Sequence, residues 1–300
     1  MKIFFVWPFD EPISGESLEF YTGFKNNDVI FVNTCTEADY IVCMMDIRNC
    51  LMMPHYRNAK MNMNVINEMN SNTNHSKEII IDYNDWQDLR NVPDNILPFV
   101  GKYFKRSIIN KKTMSIVDYP REIIPISYGI RSDFLNYDRP FPIEHDICCM
   151  FPATQRRGCW REIIPHIVNE YNGSKFVGNI QMKGDRYNNV NTEYFRILKS
   201  SKIIVTANPP NWEGDFRLWE ALMMGNLVLC DKMIMNIRHP LIDGEHIKYY
   251  NSEKELRNLI NYYAMNNSEA EEIGLQGRNF VLQHHKFTDR VNEILNMLRL

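Results

Sequence analysis

The amino-acid sequence predicts an α/β protein built on parallel sheets, and three observations lead to that prediction. Residues 193–232 read as a helix, a strand, a polar loop, a helix and a second strand, which is the order of a parallel crossover unit. Other short apolar stretches, at residues 2–7 and 147–151 among others, run directly into polar loops. The content of 44% hydrophobic and 24% charged residues is that of an ordinary globular chain.

The N-terminal part of the chain supplies the first four predicted strands. They cover residues 2–7, 29–32, 38–45 and 78–81. Residues 61–75, which are polar and rich in Asn, predict an exposed helix and loop. Asp10, Glu16 and Asp46 follow predicted strands, at the edge of a parallel sheet where ligands bind. These three carboxylates are therefore candidate site residues.

Residues 96–110 combine aromatic side chains with Lys102, Lys105 and Arg106. The plainer interpretation is a helix whose basic side chains lay their alkyl stems along the surface. The alternative is a basic lining of a cleft that faces an anionic ligand.

A linker is predicted near the middle of the chain. Pro125 and Gly129 punctuate residues 123–134, and the run DRPFP follows at residues 138–142. We therefore expect a domain boundary near residue 140, with an N-terminal domain at residues 1–140 and a C-terminal domain at residues 141–300.

The C-terminal domain opens with a strand at residues 147–151, a basic loop and a helix. Arg156, Arg157 and Arg161 lie where backbone amides at the helix start could join guanidinium groups in holding a diphosphate. The plainer interpretation of these arginines is a solvated loop. Further on, residues 174–177 predict the next strand, and residues 267–300 predict an amphipathic helical tail.

The polar residues of the central crossover unit are concentrated around the start of its second helix. Glu213, Asp215, Arg217 and Glu220 lie there, between a strand at residues 202–207 and an apolar helix that ends at Gly225. An Arg at a helix N-terminus adds its charge to the helix dipole and favours a bound phosphate. Glu220 shares a helix face with Arg217, where a carboxylate can accept the hydroxyls of a ribose. The plainer interpretation is a surface Arg–Glu pair on an ordinary helix.

The run Arg-Leu-Trp-Glu-Ala-Leu at residues 217–222, with its flanking strands and the preceding Leu-Lys-Ser-Ser-Lys, resembles the donor-binding segment of GT-B glycosyltransferases. The likeness is to the exostosin-like and group 1 (CgeB-like) families. It implies two Rossmann-like domains with parallel sheets that face a central cleft, the C-terminal one holding the nucleotide-sugar donor. The implied donor-binding residues are Arg156, Arg157, Asn208, Trp212, Glu213, Asp215, Phe216, Arg217 and Glu220.

The C-terminal tail carries a second resemblance. The pattern Gly-x-x-Gly-Arg-x-x-Val from Gly274, followed by His, an aromatic residue and Arg, is similar to the tail of group 1 glycosyltransferases. In that family the last helix, here at about residues 280–300, packs back on the N-terminal domain. His284 and His285 are possible site residues, but packing or surface roles are favoured for both.

Several missing motifs narrow the chemistry. The sequence lacks the glycine fingerprints of dinucleotide and P-loop nucleotide binding, the Gly-x-Ser-x-Gly motif and the His-Glu-x-x-His motif. It also lacks Asp-x-Asp, with which metal-dependent GT-A glycosyltransferases hold their cation. We therefore expect a metal-independent transferase without a cofactor, in which arginines replace the cation. The 7 cysteines include no Cys-x-x-Cys pair and predict neither a zinc site nor a disulfide framework.

The resemblance, together with these absences, implies a hexosyl- or pentosyltransferase that moves a sugar from a UDP- or GDP-sugar to an oligosaccharide or glycan acceptor. If the reaction inverts the anomeric carbon, the general base is expected to be Asp10, Glu16 or Asp46. Two alternatives keep the same fold, namely an inactive nucleotide-sugar binding protein and a GT-B-like epimerase or phosphorylase.

The expected setting follows from charge and hydropathy. A net charge of −3 gives no reason to expect a nucleic-acid partner. No apolar stretch is long enough to predict a transmembrane segment. We therefore expect a cytoplasmic protein, either bacterial or encoded by a virus and acting in its host's cytoplasm.

Overall fold

The computed structural model describes the chain in segments. These are residues 1–10, 12–13, 15–44, 60–83, 96–106, 123–137, 141–151, 159–178, 192–209, 214–233 and 237–299. The chain divides into two compact units. The first consists of Met1–Ile126 together with Ile294–Leu300, and the second of Ser127–Glu293.

The first unit contains a sheet of parallel strands, with two α-helices of more than one turn lying wholly within its described residues. The strands are β1 (Lys2–Val6), β2 (Ile30–Phe31), β3 (Tyr40–Cys43), β4 (Glu78–Asp82), β5 (Lys102–Lys105) and β6 (Ile123–Pro125). The helices are α1 (Gly15–Lys25) and α2 (Met63–Ser71). The strands lie in the order β2-β1-β3-β4-β5-β6, so the strand order reverses between β1 and β3. Such a switch point is where ligands bind in open α/β sheets.

Helix α2 corresponds to the helix expected within residues 61–75. Asn62 caps it, since its side chain accepts hydrogen bonds from the backbone N–H groups of Asn64 and Val65. The helix is not wholly exposed, because Ile66 and Met69 are buried in the core of the first unit.

The expectation of a basic helix at residues 96–110 is wrong for the described part. Residues 102–105 form strand β5, and both Lys105 and Arg106 are fully buried. Lys105 Nζ lies 3.2 Å from Oδ1 of the equally buried Asp82, whose Oδ2 accepts a 2.6 Å hydrogen bond from the Tyr103 hydroxyl. A buried charge must be paired or desolvation makes it unfavourable. The partner Asp82 lies 23 residues earlier in the chain, so local sequence could not reveal it.

The second unit contains a second parallel sheet. Its strands are β7 (His145–Cys149), β8 (Lys175–Val177), β9 (Ser201–Val205), β10 (Leu227–Asp231) and β11 (Lys248–Tyr250). Its helices are α3 (Trp160–Glu170), α4 (Thr192–Lys199), α5 (Phe216–Met223), α6 (Glu253–Met265), α7 (Asn267–His284) and the first part of α8 (Phe287–Arg299). The strand order β11-β10-β9-β7-β8 places a switch point between β7 and β9.

Two glycines of α7 explain part of the tail motif. A Cβ atom on Gly277 would lie 2.2 Å from the carbonyl oxygen of His246, and one on Gly274 would lie 2.6 Å from that of Gly225. Only glycine allows the backbones to approach this closely. Helix α7 therefore packs directly against the turn between α5 and β10.

The division between the units falls between Ile126 and Ser127, earlier in the chain than the expected boundary near residue 140. The residues that follow Ile126 contact the second unit. Ile130 forms a parallel bridge with Lys286, and the ring of Phe134 packs against that of Phe195 at 5.0 Å.

The helical tail is divided into α7 and α8 by a break at His285 and Lys286. The last residues of α8 group with the first unit, where the Tyr40 hydroxyl donates a 2.8 Å hydrogen bond to the carbonyl of Leu298. Within the described ranges, no helix has both the length and the apolar character needed to cross a bilayer.

Candidate donor-binding site

The candidate site lies in the second unit, at the carboxyl ends of the strands that flank the switch point. Met150 and Phe151 follow β7, and Thr206 follows β9. With Tyr194 and Arg217 they line a small pocket. The Thr206 hydroxyl is buried and has no hydrogen-bond partner in the described part of the chain. This is the position where open α/β sheets bind their ligands.

Asp215 is the central residue of the site. It caps helix α5, because its Oδ1 accepts a 3.2 Å hydrogen bond from the backbone N–H of Leu218. Its Oδ2 accepts from Arg161 at 2.5 Å and from Arg217 at 3.2 Å. Only 1% of the Asp215 side chain is exposed. One buried carboxylate thus fixes the start of α5 and two guanidinium groups.

Arg161 connects this carboxylate to the central strand of the sheet. It lies in the first turn of α3, and its Nε and Nη2 donate to the Ala207 carbonyl at 3.1 and 2.9 Å. Its guanidinium lies 5.5 Å from the centre of the Phe151 ring. The sequence analysis proposed Arg156, Arg157 and Arg161 as diphosphate ligands. Arg156 and Arg157 lie outside the described residues.

Arg217 is the more accessible of the two arginines, with 28% of its side chain exposed. Burial lowers the pKa of its guanidinium, but the charge of Asp215 and then the neighbouring Tyr194 and Glu220 outweigh burial and raise it. Arg217 therefore stays charged. Its guanidinium lies 5.0 Å from the centre of the Phe216 ring, and Phe216 is 42% exposed. A charged, partly exposed group at a helix start suits a phosphate.

Glu220 lies one helical turn after Arg217 and is buried. The Tyr194 hydroxyl donates a 2.8 Å hydrogen bond to its Oε2. Burial raises the pKa of Glu220 to about 8, although the Tyr194 hydrogen bond and the charges of Arg217 and Arg131 act to lower it. The carboxyl group is therefore largely protonated at neutral pH in the ligand-free protein.

The loop that precedes α5 is tied together at its two ends. Gly214, whose φ of +62° lies in the left-handed region, donates its N–H to Oδ1 of Asn208 at 2.9 Å. The amide nitrogen of the Asn208 side chain lies 3.2 Å from Oδ1 of Asp231, at the end of β10. Trp212 and Glu213, which the sequence places between these ends, lie outside the described residues.

The three candidate bases belong to the first unit. Asp10 follows β1 beside the switch point, with Oδ2 3.1 Å from Lys60 Nζ. Glu16 lies in the first turn of α1. Asp46 lies outside the described residues. Roles for Asp10, Glu16 and Asp46 in catalysis stay predictions.

The structure adds residues that sequence analysis did not propose for the site. Tyr194 contacts Glu220 across 26 residues of sequence, and Arg131 influences the pKa of Glu220 from the segment after β6. A Tyr with helical neighbours carries no signal of such a contact. Among the residues that the structure describes, no three His, Cys, Asp or Glu side chains are grouped to hold a metal ion.

The sequence comparison matches most of the second unit to a known family. Residues 160–296 match the family model described as Glycosyl transferase-like. The matched range contains Arg161, Asp215, Arg217 and Glu220 and ends inside α8. No curated protein sequence gives a significant match to the chain. The resemblance to GT-B glycosyltransferases is confirmed by this match and by the fold, whereas the exostosin-like or CgeB-like subtype stays a prediction.

Solved structures with the same fold cover nearly the whole chain. The Anabaena protein Alr3699/HepE in complex with UDP and glucose has a TM-score of 0.54 and 11% identity, over 100% of this chain and 99% of that chain. Sucrose-phosphate synthase from Thermosynechococcus elongatus has a TM-score of 0.55 and 12% identity, over 100% and 98%. An alpha-glucosyltransferase in complex with UDP-glucose and DNA containing an abasic site has a TM-score of 0.56 and 10% identity, over 100% and 99%. The predicted GT-B fold is confirmed.

The raised pKa of Glu220 predicts a specific dependence of stability on pH. Protonated Glu220 stabilises the fold fully below its ordinary pKa of 4.5, and this contribution is lost as the pH rises through about 8. We expect Glu220→Gln, which cannot ionise, to gain stability relative to the parent as the pH rises, by roughly 5 kcal/mol at the alkaline end. Thermal melting of both proteins across this range, without ligand, measures the difference.

The control for this measurement is Glu271→Gln, which changes an exposed carboxyl group on α7. Its stability should follow that of the parent at every pH. Parallel curves for Glu220→Gln and the parent would show that Glu220 is ionised in the folded protein throughout the range.

Proposed function

We propose that this protein is a metal-independent glycosyltransferase that moves a sugar from a UDP-sugar to a glycan acceptor. The observation that carries the proposal is the arrangement at the start of α5. There, Asp215 holds the partly exposed, charged Arg217 one helical turn before the buried carboxyl group of Glu220. In this proposal Arg217 binds a phosphate and Glu220 binds the ribose, side by side at the switch point of a parallel sheet.

The proposed role of Arg217 is to bind the diphosphate and to stabilise the charge that develops on it as the sugar leaves. A well-placed donor of this kind lowers the barrier by about 3 kcal/mol. Arg161 supports it from the other side of Asp215. Arg156 and Arg157 are proposed as further diphosphate ligands. Because these cations can neutralise the leaving group, the reaction needs no metal ion.

The proposed role of Glu220 is to hold the ribose hydroxyls. Its hydrogen bond from Tyr194 fixes the carboxyl group, so little conformational entropy is lost when the nucleotide binds. The exposed ring of Phe216 and the loop with Asn208, Trp212 and Glu213 are proposed to shape the pocket for the base or the sugar.

UDP is the first nucleotide to test as part of the donor. Both the HepE structure and the alpha-glucosyltransferase structure contain UDP or UDP-glucose. A GDP-sugar is the second choice. The alpha-glucosyltransferase structure also contains DNA, but a net charge of −3 does not favour a polyanionic partner, and we propose an oligosaccharide or glycan as the acceptor.

Thermal melting against UDP, GDP, ADP, CMP and dTDP tests the donor site. A ligand at about 100 times its Kd stabilises the folded state by roughly 2.7 kcal/mol. We expect UDP to raise the Tm of the parent, and Arg217→Ala and Glu220→Ala each to remove most of that shift, because each loses one of the two proposed nucleotide contacts.

The matched controls are Arg257→Ala and Glu170→Ala, which break an exposed Arg–Glu pair in the same unit. Their UDP shift should equal that of the parent. If no nucleotide changes the Tm of the parent, the proposed donor site is wrong. UDP binding without transfer or hydrolysis of any UDP-sugar would instead support an inactive binding protein.

The proposed general base can be tested separately from donor binding. We propose that one of Asp10, Glu16 and Asp46 removes the proton of the acceptor hydroxyl if the reaction inverts the configuration at the anomeric carbon. Replacing that residue with its amide should lower the transfer rate by about 100-fold or more, because general base catalysis is lost. The Tm shift with UDP should be unchanged, because the donor site lies in the second unit.

Asp39→Asn is the control, since Asp39 lies just before β3, at the opposite edge of the same sheet. It should transfer sugar at the parent rate. Retention of activity by Asp10→Asn, Glu16→Gln and Asp46→Asn alike would exclude these residues as the base.

A further inference from the structure

The junction between α7 and α8 contains two deeply buried polar residues. His285 is completely buried, and Arg290 in the first turns of α8 is 2% exposed. Neither residue belongs to the donor site described above. Burying a guanidinium group is unfavourable unless its donors are satisfied, and Arg290 donates to Glu293 and to the carbonyls of Tyr128 and His284 as well as to His285.

The contacts of Arg290 determine the state of the His285 ring. Arg290 Nη2 lies 2.6 Å from Nδ1 of His285. Since a guanidinium only donates, Nδ1 must accept, and Nε2 then carries the proton that is donated to the His239 carbonyl at 2.9 Å. Burial, followed by the charge of Arg290, lowers the pKa of His285 to about 2. The ring is therefore neutral and fixed at both nitrogens, which suits a geometric role rather than proton transfer.

The fixed ring of His285 supports the indole of Trp219 on helix α5. The two rings are stacked, with centroids 4.4 Å apart and planes 25° apart. Trp219 Nε1 donates a 3.1 Å hydrogen bond to the carbonyl of Gly214, the residue before Asp215. The same Gly214 closes the loop by donating its N–H to Asn208. A continuous set of contacts therefore leads from α8 to the loop that carries the donor site.

The junction also holds the segment that follows β6. Ile130 donates its N–H to the carbonyl of His285 at 2.6 Å, and Phe287 donates its N–H to the carbonyl of Ile130 at 3.3 Å. A Cβ atom on Gly129 would lie 2.5 Å from the Phe287 nitrogen, so the two backbones touch. This segment contains Arg131, which acts on the pKa of Glu220, and Tyr128, whose ring lies 6.2 Å from that of Phe216.

We propose that His285 and Arg290 are positioning residues of the donor site. They hold Trp219 so that it fixes Gly214, and Gly214 in turn sets Asp215 and the two ends of the loop from Asn208. The inference rests on the proposed function, because it assumes that this loop binds the nucleotide. The proposal assigns His285 and Arg290, two residues of the His-aromatic-Arg pattern in the tail, a role in nucleotide binding beyond packing the helices together.

The first test compares two adjacent histidines. His285→Ala removes the ring that supports Trp219, whereas His284→Ala removes a ring that is stacked on His239 instead. With UDP as the probe and calorimetry below the melting range of every variant, we expect His285→Ala to weaken UDP binding about 10-fold. His284→Ala should bind UDP like the parent. The donor KM should rise more than kcat falls, since bound donor is positioned by the remaining contacts.

The second test uses Trp219→Phe, which keeps an aromatic ring against His285 but loses the N–H group that holds Gly214. We expect a loss of UDP affinity similar to that of His285→Ala. If His285 acts on the loop through Trp219, the variant that carries both substitutions should lose little more UDP affinity than either single variant. This variant also keeps the proposal testable should His285→Ala fail to fold.

Two outcomes would overturn the positioning role. The first is a folded His285→Ala variant that binds UDP as tightly as the parent and differs only in a lower Tm. The second is a double variant whose loss of UDP binding free energy equals the sum of the two single losses. A parent protein that binds no UDP would overturn the proposed function itself, so the two failures are distinguishable.

Discussion

The buried carboxylate of Asp215 is the interaction on which the candidate site depends. It caps α5, pairs with Arg217 and binds Arg161, which in turn holds the backbone at the end of β9. Two guanidinium groups this close would repel each other without a shared anion. The desolvation of Asp215 is offset because all its contacts are charged or strongly polar donors. The protein thereby holds two cations in place, and in the proposed function this preorganised charge would stabilise the leaving diphosphate.

The strand order explains why this carboxylate lies where a ligand can reach its arginines. In both sheets the first strand lies between the second and the third, so helices leave on opposite faces and a crevice opens between them. In the second unit that crevice lies between β7 and β9, where Met150, Thr206 and Arg217 line a small pocket. Trp219 stacks on His285 and donates a hydrogen bond to the Gly214 carbonyl, so it connects the start of α5 to the α7–α8 junction.

The sequence alone predicted the elements of the second unit well, because each short apolar run ends in a clear turn or cap, such as Asp215 before α5 or Ser252 before α6. It also selected Arg217 and Glu220, whose spacing places them on one helix face. It could not find the contact of Tyr194 with Glu220 or the burial of Lys105 against Asp82, because both depend on pairings between distant segments. The division after Ile126 lies earlier than the boundary expected near residue 140, and the bridge of Ile130 with Lys286 in the second unit also joins distant segments.

The most direct test of the central claim is a crystal structure of the protein with UDP bound. The account predicts that phosphate oxygens lie within hydrogen-bonding distance of the Arg217 guanidinium, with Asp215 still capping α5, and that the ribose hydroxyls contact Glu220. UDP bound elsewhere, with the start of α5 unoccupied, would contradict it.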